Sequence, residues 1–192
     1  LMKKNINIYY IGSKYGIEKV FFDKYKLKYY LLNIKGIQRT ISLKSIIKNI
    51  MFPIYFIQSY RKSIKLIHKH KPLAIIGTGG YCSGVPLIAG IRLKIPTFIQ
   101  DQNSIPGLIT KILQKRVTKI FLGYDIKEKF KINNSIYTGN PIRKELIIKN
   151  KFESKKILGF DTNKKLILIL GGSQGSSPIN RHILKKIDFY IN

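Results

Sequence analysis

Leu166-Ile167-Leu168-Ile169-Leu170 runs directly into Gly171-Gly172-Ser173-Gln174-Gly175-Ser176, and Pro178 follows near the start of a helix-like segment. A short apolar run closed by a glycine-rich turn reads as a buried strand, and strand, turn and helix in that order form the unit of a parallel α/β sheet. The same alternation recurs up the chain. Apolar runs at Ile6 to Ile11, Leu73 to Ile76, Thr97 to Ile99, Lys119 to Leu122 and Ser135 to Tyr137 are separated by polar turns and by stretches of helical spacing. The expected fold class is therefore α/β with a parallel sheet. In such sheets ligands bind beyond the carboxyl ends of the strands, so the loops leaving these runs are where chemistry is sought.

With 192 residues, 44% of them hydrophobic, the chain can bury a sizeable core, and disorder is excluded. Lys+Arg number 36 and Asp+Glu 9, a net charge of +27 that suits a polyanion or an anionic membrane face. Composition weakens that inference. Ala occurs only at positions 74 and 89, Trp is absent, and Lys, Ile, Asn, Tyr and Phe abound, as A+T-rich codons would produce. The basic residues are also scattered and form no single block. Cys82 stands alone, which excludes an internal disulfide, fits a reducing compartment and supplies no metal site. No signal peptide is evident, and no uncharged apolar run reaches the roughly 18 residues that a membrane span requires. The expectation is a chain that lies on a membrane without crossing it. Leu1 precedes Met2, and Asn192 follows closely on a helix-like segment, so both ends read as cut.

Between Ser42 and Lys71, Leu43, Ile47, Ile50, Ile54, Ile57, Ile64 and Ile67 recur at helical spacing, and Pro53 is expected to kink or divide that helix. Residues 1–148 read as one domain, 149–163 as a polar connection, and 164–192 as the opening of a second domain. His68 and His70 lie at a lysine-rich helix end without a nearby carboxylate, and His182 lies on a later helix; all three are expected at the surface, and no metal site is expected.

Four loops carry polar chemistry. The turn Gly171 to Ser176 presents backbone N–H groups at a helix N-terminus, an arrangement suited to a diphosphate, although it is neither G-x-G-x-x-G nor a P-loop. In Gly77-Thr78-Gly79-Gly80-Tyr81-Cys82-Ser83-Gly84 the glycines permit close approach, while Tyr81 and Ser83 offer hydrogen bonds. Gln100-Asp101-Gln102-Asn103 sets a carboxylate among amides, suited to sugar hydroxyls or to general-base work. Thr138-Gly139-Asn140-Pro141-Ile142-Arg143 places a guanidinium after a proline-fixed turn, where it can hold phosphate. Each alone is also an ordinary turn.

Together, in this order and at these separations, Gly79-Gly80-Tyr81-x-Ser83-Gly84, Gln102-Asn103-x-x-Pro106-Gly107-Leu108, Gly139-Asn140-Pro141-Ile142-Arg143 and Gly171-Gly172-Ser173-Gln174-Gly175 resemble the bacterial lipid I N-acetylglucosaminyltransferase family. The resemblance runs from about Ile6 to Leu184. It implies a GT-B fold: a Rossmann-like N-terminal domain that handles the acceptor, plus the first βα unit of a second Rossmann-like domain that binds UDP-N-acetylglucosamine. The implied reaction is inverting transfer of N-acetylglucosamine to lipid I, giving lipid II, with no cofactor. Asn103, Arg143 and Ser173, with Gly172, Gln174 and Gly175, match the UDP-N-acetylglucosamine side. Tyr81 and Ser83 match the acceptor side. Asp101 is the candidate catalytic carboxylate, although it replaces the family's usual Glu, and Gln100 replaces its usual His. The family's His-bearing glycine-rich loop would precede Leu1, so these residues alone are expected to be inactive.

A membrane patch is implied at Ile50, Ile54, Ile57 and Tyr60, flanked by lysines. The implied place is the cytoplasmic face of the inner membrane, peripherally bound to anionic lipid, with other cell-wall synthesis proteins as further candidate partners. Beside this one, and beside a weaker reading as another GT-B enzyme acting on a different lipid-linked sugar, stand two readings of other kinds. One is an inactive fragment of such an enzyme. The other is a basic nucleic-acid-binding protein, favoured by the charge and by 12 Tyr and 10 Phe but lacking any recognised module, so nucleic acid is not the expected partner.

Overall fold

The computed structural model describes residues 6–36, 50–142, 150–171 and 175–191. Two compact units divide the chain, residues 1–142 and 143–192.

In the first unit β1 (Tyr10–Ser13) pairs in parallel with β2 (Tyr29–Leu32), and α1 (Glu18–Lys24) makes the crossover. Gly12 lets that helix lie on the strand, since a Cβ there would meet Phe22 Cε2 at 2.9 Å. The first strand begins only at Tyr10, later than the apolar run from Ile6 suggested. β2 was not expected at all. Tyr29-Tyr30-Leu31-Leu32 shows no alternation of apolar and polar residues, and its strand character comes from the ladder that β1 offers.

A second parallel sheet holds β3 (Ile75–Gly77), β4 (Thr97–Asp101), β5 (Lys119–Leu122) and β6 (Ser135–Tyr137), neighbours in chain order. These are the expected strands, shifted by at most a residue or two at an end. The crossovers are α3 (Gly80–Arg92), α4 (Leu108–Leu113) and α5 (Lys127–Phe130). Leu87, Ile99, Leu113, Val117, Ile120, Leu122, Ile126 and Ile132 form one buried core. Leu32, Ile34 and Val85 form another. Helix α3 contributes Leu87 to the first and Val85 to the second, which ties the two sheets into one unit.

Helix α2 (Phe52–His70) begins with Pro53 in its first turn, where the missing N–H costs nothing, so the proline starts this helix and does not kink it. Its buried face is Ser59, Ser63 and Ile67, so the isoleucine stripe lends that face only its last member. Serines at i and i+4 allow close helix approach; Ser63 Oγ donates to the Ser59 carbonyl at 2.9 Å, while the Ser59 hydroxyl is buried without a partner. Leu43 and Ile47 lie outside the described residues.

The second unit contains α6 (Lys151–Ile157), α7 (Ser177–Lys185) and α8 (Ile187–Ile191). Asn150 caps α6, its side chain accepting from the Phe152 N–H at 2.8 Å. Lys155, 5% exposed, donates to the carbonyls of Thr162 and Lys164, which satisfies a buried ammonium with backbone oxygens. The stretch 149–163, read as a connection, thus carries a helix. The run that led the fold assignment is the main correction. Leu166 to Leu170 form no strand, and each is between 44% and 74% exposed. A strand exists only within a ladder, and no described segment pairs with this one.

Candidate functional site

The period of a strand places the first functional group. Along β4, Thr97, Ile99 and Asp101 face the buried side while Phe98 and Gln100 face the other, so Asp101 enters the protein at the carboxyl end of the strand. A carboxylate 3% exposed must find donors, and it does. Its Oδ1 accepts from the Asn103 N–H at 3.1 Å and from Asn103 Nδ2 at 2.9 Å. Its Oδ2 accepts from the Gly107 N–H at 2.9 Å and from Thr110 Oγ1 at 2.5 Å. Burial alone would raise the pKa, but the donors from Thr110, Gly107 and Asn103 outweigh it and hold the carboxyl below its ordinary value.

Both oxygens of this candidate catalytic carboxylate are thus engaged by the loop that follows. Asp101 organises residues 102–110. Asn103, which it holds by main chain and side chain, is exposed at the sheet's end.

The loop after β6 meets the same place. Asn140 Nδ2 donates to the Gln102 carbonyl at 3.3 Å, and Asn140 Oδ1 accepts from Gln100 Nε2 at 3.2 Å. In sequence Asn140 reads only as part of the proline-fixed turn before Arg143. Its signal was its position between Gly139, at φ +71°, and Pro141, which together fix how it leaves the strand.

At the other side, Gly79 (φ +100°) and Gly80 (φ +72°) turn the chain into α3 in a conformation that few residues but glycine adopt. Tyr81 follows, its ring lying where a Gly36 Cβ would be, 2.7 Å from Cδ2. Tyr81, Cys82, Gly79 and Gly80 line an open cleft of about 620 Å³ with Ser13, Tyr15, Glu18 and Lys35. Glu18 Oε2 is buried there without a hydrogen-bond partner. Burial pushes the Cys82 thiol up to about 12, with the Glu18 charge adding to it. Ser83 is absent from the cleft lining, and its hydroxyl donates to the Gly80 carbonyl at 2.9 Å, so Ser83 stabilises the helix start.

Arg143, Gly172, Ser173 and Gln174 lie outside the described residues. Gly175, at φ +73°, leads into Ser176 at the start of α7, and a Cβ on Gly171 would meet Gly175 Cα at 3.1 Å, so glycine at 171 permits this close approach.

Ile50, Ile54 and Ile57 are 68%, 48% and 50% exposed. Tyr60, expected beside them, packs inward on Leu32, Ile34 and Val85 and stacks on Phe56. His68 and His182 are exposed as expected. His70 is not a free surface group: it bonds Tyr30 Oη at 2.8 Å and stacks on Tyr9 at 3.9 Å. No cluster of metal-binding side chains and no helix long and apolar enough to cross a membrane occurs among the described residues.

A parallel α/β unit whose polar loops gather at the carboxyl ends of its strands defines a protein of the Rossmann-like class. Residues 1–122 match the model of the glycosyltransferase family 28 N-terminal domain, and the chain belongs to that family. It is 40% identical, over 98% of its length and 51% of the relative's, to a Flavobacterium psychrophilum protein. A Bacillus pumilus protein is 36% identical over 94% of this chain and 49% of its own length. Both relatives are named UDP-N-acetylglucosamine--N-acetylmuramyl-(pentapeptide) pyrophosphoryl-undecaprenol N-acetylglucosamine transferase. A crystal structure of MurG from Acinetobacter baumannii superposes with a TM-score of 0.57 at 19% identity, covering 75% of this chain and 40% of that one. The fold is thus that of a GT-B glycosyltransferase in its parallel-sheet α/β part. The chain spans about half the length of the curated relatives it matches.

Proposed function

We propose that the chain forms the acceptor-side part of an enzyme that transfers N-acetylglucosamine from UDP-N-acetylglucosamine to lipid I, producing lipid II for peptidoglycan. The observation that carries this reading is the 40% identity that runs through 98% of the chain to a relative named for that reaction. Position by position, the loops at the strand ends suit it. Asn103 offers a donor and an acceptor to sugar hydroxyls, while Arg143 and the turn at Gly172, Ser173, Gln174 and Gly175 offset diphosphate charge as UDP leaves. The acceptor's 4-hydroxyl attacks the anomeric carbon with inversion. Tyr81 and the cleft beside it face the acceptor. Asp101 works through Asn103, which it holds in place.

Residues 1–148 act as the acceptor domain in this reading, and the sequence from Lys164 onward begins the nucleotide-sugar domain. The exposed Ile50, Ile54 and Ile57 with nearby Arg61, Lys62 and Lys65 form a surface that docks on anionic lipid at the cytoplasmic face of the membrane.

The test is transfer of labelled N-acetylglucosamine from UDP-N-acetylglucosamine to a lipid I analogue by the full gene product, beside its Asn103→Ala and Arg143→Ala forms. Lipid II formation that drops in both variants supports the reading. A full product that binds the sugar nucleotide no better than its Arg143→Ala form would remove Arg143 from the site, and one that forms no lipid II would overturn the reading itself.

A further inference from the structure

Asn140 makes contacts that nothing in its own loop requires. Both ends of its amide reach the carboxyl end of β4 and the residue that follows it, some forty positions earlier in the chain: Oδ1 accepts from Gln100 Nε2 at 3.2 Å, and Nδ2 donates to the Gln102 carbonyl at 3.3 Å. A backbone carbonyl can only accept, so the Gln102 contact decides which end of the Asn140 amide is nitrogen, and Gln100 must then be the donor at the other end. The arrangement also depends on an empty place. A Cβ on Gly123, at the end of β5, would stand 2.0 Å from Asn140 Oδ1 and 2.6 Å from its Cγ. Gly123 in turn donates its N–H to the Asp101 carbonyl at 2.8 Å, which brings the ends of β4, β5 and β6 to one point. Gly139 at φ +71° and Pro141 restrict the backbone on either side of Asn140, so its side chain is presented with little freedom left to lose.

We propose that Asn140 is a positioning residue that holds the Gln100–Asn103 loop against the end of β6, and that Gly123 is glycine to make room for it. Asp101 anchors this loop from inside the protein; Asn140 anchors it from the solvent side. Asn103 follows directly on the residues that the two anchors hold, so its place relative to β6 depends on both. The consequence for sugar-nucleotide binding rests on the reading of Asn103 given above, whereas the anchoring itself does not.

Two substitutions test the contact from opposite sides. Asn140→Ala removes both the oxygen that accepts from Gln100 and the N–H that donates to the Gln102 carbonyl. Gly123→Ala leaves Asn140 chemically intact and drives its amide out of place; Gly123 is not in the left-handed region, so alanine brings no backbone strain. Amide hydrogen exchange and 1H–15N spectra of the 192-residue chain are the readouts. In each variant the Asn103 amide, which donates to Asp101 Oδ1, should exchange about tenfold faster, the order of effect of one lost net hydrogen bond. The Gln100 side-chain amide signals should move to the positions of a solvated glutamine, with the urea midpoint close to that of the parent. The double variant should go no further than either single one, since both remove the same contact. Unchanged Gln100 signals in Asn140→Ala, or effects of the two substitutions that simply add, would overturn the proposal. No ligand enters the experiment, so its result is independent of whether the chain handles a nucleotide sugar.

Discussion

Thr110 donates its hydroxyl to Asp101 Oδ2 at 2.5 Å, joining the middle of α4 to the last residue of β4. The bond closes a ring of donors that also includes Gly107 and Asn103, so a single carboxylate sets the path of the loop between strand and helix. An uncapped helix start at Gly107 gains a negative group near its first N–H groups from the same side chain. The loop that carries Asn103 is therefore shaped by a group that no ligand needs to touch.

Asp101→Asn should destabilise the first unit by about 2 to 3 kcal/mol at neutral pH, because hydrogen bonds to a charged acceptor weaken and one amide hydrogen meets a donor. The pH dependence has a definite sign. The folded carboxyl lies below its ordinary value of 3.8, so its contribution is complete above that value and is lost as the pH falls through the lower folded one. Urea unfolding should show the gap between parent and variant at pH 7 and its narrowing below about pH 4. A gap that is constant across that range would show that the charge of Asp101 is not what stabilises the loop.

Gly90→Ala should destabilise the fold even though alanine is the better helix former. A Cβ at position 90 would meet Ile75 Cδ1 at 2.6 Å and Thr97 Cγ2 at 2.9 Å, so α3 would have to lift from β3 and β4. Overpacking costs about 1 to 3 kcal/mol and the helix gain is about 1, leaving a net loss of roughly 1 kcal/mol. The midpoint of urea denaturation measures it, and an increased midpoint would show that the interface has slack.

Ile54→Glu together with Ile57→Glu should weaken binding to vesicles containing anionic lipid by at least about tenfold, since each isoleucine can bury a side chain worth about 1.5 to 3 kcal/mol. Both residues are already about half exposed, so the fold should tolerate the change. Cosedimentation at fixed salt decides the matter. Equal binding by variant and parent, with full competition by duplex DNA, would favour a general polyanion surface over a membrane patch.

Cys82 should react slowly with iodoacetamide in the native state. With burial and then the Glu18 charge holding the thiol near about 12, the thiolate fraction at pH 8 is on the order of one part in ten thousand. Glu18→Gln removes the second cause, lowers the pKa and should speed alkylation, while denaturant should speed it far more. Native labelling as fast as that of free cysteine would show that the cleft beside α3 is more open than its lining indicates.

The sequence by itself determined the parallel α/β class, the strands from β3 to β6 and the loops that meet at their ends, because strand length, glycine turns and period-two burial are local properties. Asp101 and Asn103 were legible as a polar pair at a strand end for the same reason. Which of them faces inward, and which donors a carboxylate among amides engages, depended on Gly107 and Thr110 folding back onto Asp101. Only tertiary structure could say that. The same holds for Asn140, whose partners lie far away in sequence, and for Tyr60, which turned from the helix surface toward Leu32 and Val85. Leu166 to Leu170 mark the opposite limit, since an apolar run states a capacity to pair, whereas pairing itself needs a neighbouring strand whose N–H and C=O groups lie in register.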